Sequence, residues 1–169
     1  LVGFIHGVMN TDNCSISGET IDYGPCAFMD TFHPETVYSS IDSGGRYAFD
    51  QQPSIGLWNV TRLAETLLAL FDDEDDRAIE MAKEALAGYW PYFEKVFHGG
   101  LCAKIGLPTA EKEDFELALD LLTRMGNQRA DFTLTFRRLC DAPAGDTGAK
   151  AMVRMLFDDP EVYDEWDAK

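Results

Sequence analysis

The chain has 169 residues, of which 46% are hydrophobic and 12% aromatic, a composition that supports a folded domain with a buried core. Its 14 Lys and Arg residues against 30 Asp and Glu residues give a net charge of −16, which argues against binding to nucleic acid or to anionic membranes. No apolar run approaches the roughly 18 residues that a membrane span requires.

The first thirty residues contain the candidate functional residues. Residues 6–13 read HGVMNTDN and residues 21–30 read IDYGPCAFMD. Between the two blocks, β-branched residues flank a Ser-Gly pair, a pattern that predicts a very short β-hairpin. The outer ends of an antiparallel hairpin lie roughly 5 Å apart, so this pattern would bring Asn13 and Asp22 together. With Asp12 beside them, their oxygens would form a site of the kind that Mg²⁺ or Mn²⁺ prefers.

An alternative interpretation is that Asp12 and Asn13 only cap a turn, since Asp and Asn side chains often bond to nearby backbone groups.

The arrangement of Asp12, Asn13 and Asp22 also suggests a kinase-like phosphate site. Protein kinases use a catalytic-loop Asp to orient the nucleophile, a loop Asn to hold one metal, and an Asp before Phe-Gly to hold metal against the phosphates. Asn13 and the sequence from Asp22 to Gly24 match the last two features. Asp12 departs from the pattern, because it directly precedes the Asn and follows no His-Arg-Asp.

Three further segments extend this pattern: SSIDSGGRY at residues 39–47, QP at residues 52–53 and WNVTRLAETL at residues 58–67. With the first thirty residues they resemble the selenoprotein O family of protein adenylyltransferases, called YdiU or UPF0061 in bacteria. The resemblance runs from residue 1 to at least Glu65 and more loosely to Trp166. It implies a pseudokinase-like fold that binds ATP in a flipped orientation and transfers AMP to Ser, Thr or Tyr hydroxyls of other proteins.

The resemblance also implies roles for individual residues. By matching positions, Asp12 would be the proton acceptor. Asn13 and Asp22 would bind Mg²⁺ or Mn²⁺, and Asp22 would also lie against the nucleotide. A metal held there would stabilise the negative charge on the transferred phosphorus centre. ATP and proteins with accessible hydroxyl groups are the expected partners.

Parts of a nucleotide site are not found in the sequence. A kinase-like enzyme needs a strand-borne Lys, a Glu that orients it and a loop over the phosphates, and none of these precedes Leu1. We therefore expect a fragment that lacks the N-terminal nucleotide-gripping lobe and has negligible catalysis of its own. Two alternatives to AMP transfer remain open. One is ordinary phosphoryl transfer with the same metal site, and the other is a helical interaction module without catalysis.

The predicted fold is mainly α, namely the helical C-terminal lobe of a protein-kinase-like fold with a short β-hairpin near the N-terminus. We predict one structural domain, in which residues 1–50 supply catalytic and metal-binding loops with an activation-loop-like segment, and residues 51–169 form the helical lobe. Pro53 is well placed to begin a helix with an apolar face formed by Ile55, Trp58, Leu63, Leu67 and Leu70. The later pattern predicts a helix pair at 78–105, with a break or kink at Pro91 and further breaks at Gly99 and Gly100. Further helices are predicted after 109 and at 130–139, 149–157 and 160–166.

The four cysteines show no CxxC pair and no dense spacing, so reduced thiols in a cytoplasmic protein are expected. Cys26 follows the Asp22 segment directly. A disulfide from Cys26 to a distant cysteine would lock the activation-loop-like segment and thereby control activity. The alternative is that Cys26 simply packs against its apolar neighbours.

Overall fold

The computed structural model describes residues 1–19, 22–107, 111–142 and 146–169. They form a mainly helical structure with one two-stranded antiparallel sheet, so the prediction of a mainly α fold is confirmed. Within these residues, no helix has both the length and the apolar composition needed to cross a bilayer. The elements are β1 (Phe4–Ile5), β2 (Ala27–Phe28), α1 (Gln52–Thr66), α2 (Leu68–Phe71), α3 (Asp75–Ala87), α4 (Tyr89–Lys104), α5 (Lys112–Asn127), α6 (Phe132–Leu139), α7 (Thr147–Arg154) and α8 (Pro160–Asp167), with short 3-10 turns at Thr11–Asn13 and Phe49–Gln51.

The strand pair lies elsewhere than predicted. The sheet pairs β1 with β2, whereas residues 14–19, which include the predicted first arm of the hairpin, contain a turn and no strand. The Ser15 and Ser17 hydroxyl groups bond to each other at 2.7 Å, and Ser17 also accepts from the backbone N–H of Glu19. Such local hydrogen bonds compete with a strand ladder. The predicted second arm, residues 20–21, lies outside the described residues.

The chain divides into two compact units. The first comprises Leu1–Phe4, Phe28–Thr36 and Val96–Lys169, and the second comprises Ile5–Ala27 and Val37–Lys95. All three predicted site residues belong to the second unit. The division of labour between residues 1–50 and 51–169 stays a prediction.

The core of the first unit forms around α5 and α6. Leu121, Met125 and Phe132 are buried there. The backbone N–H of Phe132 donates to Asp30 O at 2.7 Å, so the segment after β2 is hydrogen-bonded to the start of α6. The Trp166 indole of α8 donates to Leu117 O of α5 at 2.9 Å, which ties these two helices together.

An ion network on α5 supports the same unit in this acidic chain. Arg124 bonds to Asp120 and to Glu165 of α8, each at 3.0 Å, and Lys169 bonds to Asp120 at 2.7 Å. Burial raises the pKa of the Asp120 carboxyl group, but the hydrogen bonds from Lys169 and Arg124 outweigh burial and hold that pKa below its usual value. The network therefore places two acids, Asp120 and Glu165, beside cations and limits their mutual repulsion.

In the second unit, α1 begins as predicted, with Pro53 in its first turn. Its apolar face, however, is only partly buried. Ile55 is buried, whereas Trp58 and Leu63 are each 37% exposed. Leu70, which lies in α2, is 80% exposed. The helical spacing therefore predicts the helix correctly, while Trp58, Leu63 and Leu70 of the predicted apolar face are exposed.

The helix pair at 78–105 is confirmed, with a different break. The chain passes from α3 to α4 at Gly88, so Pro91 lies in the first turn of α4, where a missing N–H costs nothing. Gly99 and Gly100 lie inside α4, and the prediction that they interrupt the helix is wrong. Leu1 packs so closely against Gly100 that a Cβ atom there would overlap its side chain. That glycine therefore serves packing and not chain reversal.

Gly7, in the HGVMNTDN block, provides a test of the fold next to the candidate site. It has φ of +86°, and a Cβ atom there would lie 2.8 Å from the backbone O of Pro25. Gly7→Ala is expected to lower the free energy of unfolding by about 3 kcal/mol, from backbone strain plus this contact. Gly18→Ala is the matched control, because Gly18 has φ of +71° but no atom of the described residues lies within 4 Å of the added Cβ.

For the control we expect a loss of about 1 kcal/mol, from strain alone. Urea titrations of both variants and the parent chain give the two values. Equal losses in Gly7→Ala and Gly18→Ala would contradict the close packing of Gly7 against Pro25.

Candidate functional site

The turn at Thr11–Asn13 presents the first two predicted site residues. The backbone N–H of Asn13 donates to Asn10 O at 3.0 Å, which closes the turn. Asp12 and Asn13 are both exposed. The Asn13 side-chain Nδ2 donates to Val8 O at 3.1 Å. This bond fixes the orientation of the amide, and within the described part of the chain no donor bonds to Asn13 Oδ1. That oxygen is therefore available to a ligand.

Asp22, the third predicted site residue, follows the two undescribed positions and is also exposed. Its Oδ1 accepts from the backbone N–H of Tyr23 at 2.7 Å. Its other carboxylate oxygen has no hydrogen-bond donor among the described residues. Asp12 and Asn13 thus share one turn, while Asp22 lies on a separate segment. The convergence of the Asn13 and Asp22 oxygens stays a prediction.

The side-chain oxygens of Asn13 and Asp22 are chemically suitable ligands for a divalent cation. Mg²⁺ is commonly bound by one or two protein oxygens, with phosphates and water completing its coordination. Within residues 1–19, 22–107, 111–142 and 146–169, no group of three or more His, Cys, Asp and Glu side chains is placed to hold a metal. The carboxylate of Asp22 and the side-chain oxygen of Asn13 are ligands of the type that Mg²⁺ prefers.

Side chains from distant parts of the sequence hold the loop that carries Asp12 and Asn13. The Gln52 side chain accepts from the backbone N–H of His6 at 2.9 Å, and the Tyr47 hydroxyl donates to the side-chain oxygen of Asn10. On α1, the Asn59 amide donates to Met9 O at 3.1 Å and to Cys14 Sγ at 3.0 Å. We call Tyr47, Gln52 and Asn59 the loop frame.

One member of the loop frame is itself held by a capped turn. The Asp42 carboxylate accepts from the backbone N–H groups of Arg46 and Tyr47, both at 2.8 Å. Asp42 therefore positions Tyr47 and, through it, the loop. Sequence reasoning missed the loop frame, although the segments that contain it carry the family resemblance. The available signal was a polar Asn59 within an otherwise apolar stretch of α1.

Cys14 directly follows Asn13 and is half-buried. Burial raises the pKa of its thiol, the negative charge of Asp12 raises it further, and the hydrogen bond from Asn59 partly opposes both effects. The thiol is therefore protonated at neutral pH and is a poor nucleophile. The four cysteines are free thiols, so the structure contains no disulfide from Cys26. The proposed Cys26 disulfide stays a prediction.

A cavity of about 540 Å³ borders the loop on its α1 side. Thr11 and Cys14 line it from the loop, and Asn59 and Leu63 line it from α1. None of the three predicted site residues lines this cavity. It is therefore a neighbour of the candidate site and not the site itself.

Two guanidinium groups lie beside the indole of Trp58. The central carbons of Arg46 and Arg62 are 4.8 and 5.4 Å from the ring centroid, within the range of cation–π attraction. Arg62 also pairs with Glu65 at 2.6 Å, one turn along the helix. These two guanidinium groups place positive charge beside Trp58 of α1 in a chain whose net charge is −16.

Comparison with known proteins identifies the family to which the chain belongs. A family model described as Protein adenylyltransferase SelO matches residues 1–166. The chain is 60% identical over 168 residues to a protein named Protein nucleotidyltransferase YdiU from one strain of Rhodopseudomonas palustris, covering 98% of this chain and 34% of that protein. Proteins of the same name from Methylorubrum extorquens and from a Bradyrhizobium species are 56% and 58% identical, covering 98% and 100% of this chain and 34% of each relative.

The chain thus spans about a third of the length of the curated relatives that it matches. The match includes the turn with Asp12 and Asn13, the Asp22 segment and the loop frame, since it extends over nearly every residue. The chain belongs to the SelO family, whose YdiU members are named as protein nucleotidyltransferases.

Proposed function

We propose that the whole protein containing this chain transfers AMP from ATP to Ser, Thr or Tyr hydroxyl groups of other proteins, on a kinase-like fold. Asp12 is the proton acceptor, and Asn13 and Asp22 bind Mg²⁺ or Mn²⁺ together with the nucleotide. The observation that carries the proposal is the exposed turn at Thr11–Asn13, whose Asn13 Oδ1 is left available while hydrogen bonds hold the surrounding loop. The description of the matching family as protein adenylyltransferases supports the choice of AMP as the transferred group.

The chemistry assigned to this chain is limited to its own residues. The hydroxyl oxygen of the acceptor protein forms a bond to the α-phosphorus of ATP, and the bond from that phosphorus to the bridging oxygen breaks, so pyrophosphate leaves. Asp12 orients the hydroxyl group and takes its proton. When bound, the cation supplies charge stabilisation to the phosphate oxygens. Asn13 and Asp22 contribute to this stabilisation only by holding that cation.

Labelled ATP tests the proposal against its main alternative. The whole protein is incubated with Mn²⁺ or Mg²⁺, an acceptor protein and ATP labelled on either the α- or the γ-phosphate. AMP transfer puts the α-label on protein and leaves the γ-label in pyrophosphate. If protein is labelled only by ATP that carries the label on its γ-phosphate, the reaction is ordinary phosphoryl transfer and not AMP transfer. No protein-bound label from either ATP, with a range of acceptors, would favour a helical interaction module without catalysis.

A further inference from the structure

Asn59 contacts the candidate catalytic loop on both sides of its functional residues. Its amide donates to Met9 O, three residues before Asp12, and to Cys14 Sγ, directly after Asn13. The orientation of the amide follows from chemistry, because a backbone carbonyl oxygen only accepts and the –NH₂ group must therefore face Met9. A single side chain on α1 thus fixes both ends of the turn.

The other half of the Asn59 amide is left unsatisfied. Its Oδ1 atom is buried and has no hydrogen-bond partner within the part of the chain that the structure describes. A buried polar atom without a partner costs about 1–3 kcal/mol. An apolar side chain at this helix position would avoid that cost but could not donate to the loop. The two bonds that the –NH₂ group donates to the loop are therefore the specific contribution of an Asn at this position.

We propose that Asn59 is a positioning residue, which holds the turn at Thr11–Asn13 so that Asp12 and Asn13 keep their productive geometry. This inference rests on the proposed function. Asn59 touches neither substrate nor reacting atoms, and it acts through the loop. Displacement of a reacting group by about 1 Å can reduce a rate by about 10²-fold, so loss of these bonds is expected to appear mainly in kcat.

The test is Asn59→Asp in the whole protein, because Asp keeps the size of the side chain but removes both donors and sets an oxygen against Met9 O. We expect kcat for α-label transfer to fall by about 10²-fold, while KM for ATP changes by less than about threefold. Thr61→Val is the matched control on the same helix. The Thr61 hydroxyl donates only to Leu57 O within α1, so both kinetic constants should stay at the parental values.

Hydrogen–deuterium exchange separates positioning from a general loss of stability. In Asn59→Asp, the amides of Asn13 and Cys14 are expected to exchange faster, while those of the second half of α1 exchange as in the parent. Asn59→Ala, which removes the amide group without introducing a charge, should show the same faster local exchange and the same fall in kcat. If Asn59→Asp does not fold, Asn59→Ala and its exchange pattern decide the question.

The outcomes distinguish the two proposals. A parent protein that transfers no α-label refutes the proposed function, and the exchange data still report whether Asn59 holds the loop. An active parent, together with variants whose kcat per folded molecule equals that of the parent, overturns the role of Asn59 and leaves the proposed function intact.

Discussion

Replacing Asp12 by Asn in the whole protein is expected to lower kcat for α-label transfer by about 10²–10⁴-fold, the usual contribution of a positioned general base. Asn keeps the shape of the side chain but cannot take the proton of the acceptor hydroxyl group. KM for ATP should change little, since the proposal gives Asp12 no contact with the cation or the nucleotide. Steady-state kinetics with labelled ATP at saturating acceptor protein measures both constants.

Asp30→Asn is the matched control for Asp12→Asn. Asp30 is another exposed acid of the N-terminal segment, and its backbone O, which accepts from Phe132, is unaffected by the substitution. The control should retain parental kcat. Because Asp12 is exposed, its own substitution should change the free energy of unfolding by no more than about 0.5 kcal/mol. A fully active, fully folded Asp12→Asn protein would remove Asp12 from the mechanism.

The local signals in the sequence predicted local structure well. Pro53 marks the first turn of α1, and α8 begins at Pro160, as the helix-start preference of proline predicts. Break positions were less predictable. Gly88 and not Pro91 separates α3 from α4, because a proline is tolerated in the first turn of a helix.

Contacts between distant parts of the chain were not predictable. The loop frame joins residues that are 37, 46 and 50 positions apart in the sequence, and no periodicity or spacing encodes such pairs. The same limit explains the misplaced hairpin. A Ser-Gly turn between β-branched residues is compatible with a hairpin, but β1 pairs instead with β2, which is distant in the sequence. Family resemblance directed attention to Asp12 and Asn13, which lie on an exposed turn, and it gave no indication of what holds that turn.

The remaining large effect concerns the cation. Asn13→Ala and Asp22→Ala are each expected to weaken Mn²⁺ binding to the nucleotide-bound protein by about 10–100-fold or more, because each removes an oxygen ligand from a site with few protein ligands. Electron paramagnetic resonance of free Mn²⁺, with a non-hydrolysable ATP analogue present, gives the dissociation constants. Asp30→Asn, which changes an acid outside the predicted site, should bind Mn²⁺ like the parent.

The double variant tests whether the two oxygens share one ion. If Asn13 and Asp22 bind the same cation, their contributions are coupled, so the double variant loses less binding free energy than the sum of the two single losses. If they serve separate ions, the losses in binding free energy add. Additive losses would refute the shared site while leaving each residue a ligand, and parental Mn²⁺ affinity in all three variants would refute metal binding by both. The double-mutant cycle therefore measures the convergence of Asn13 and Asp22 on which the proposed transfer of AMP depends.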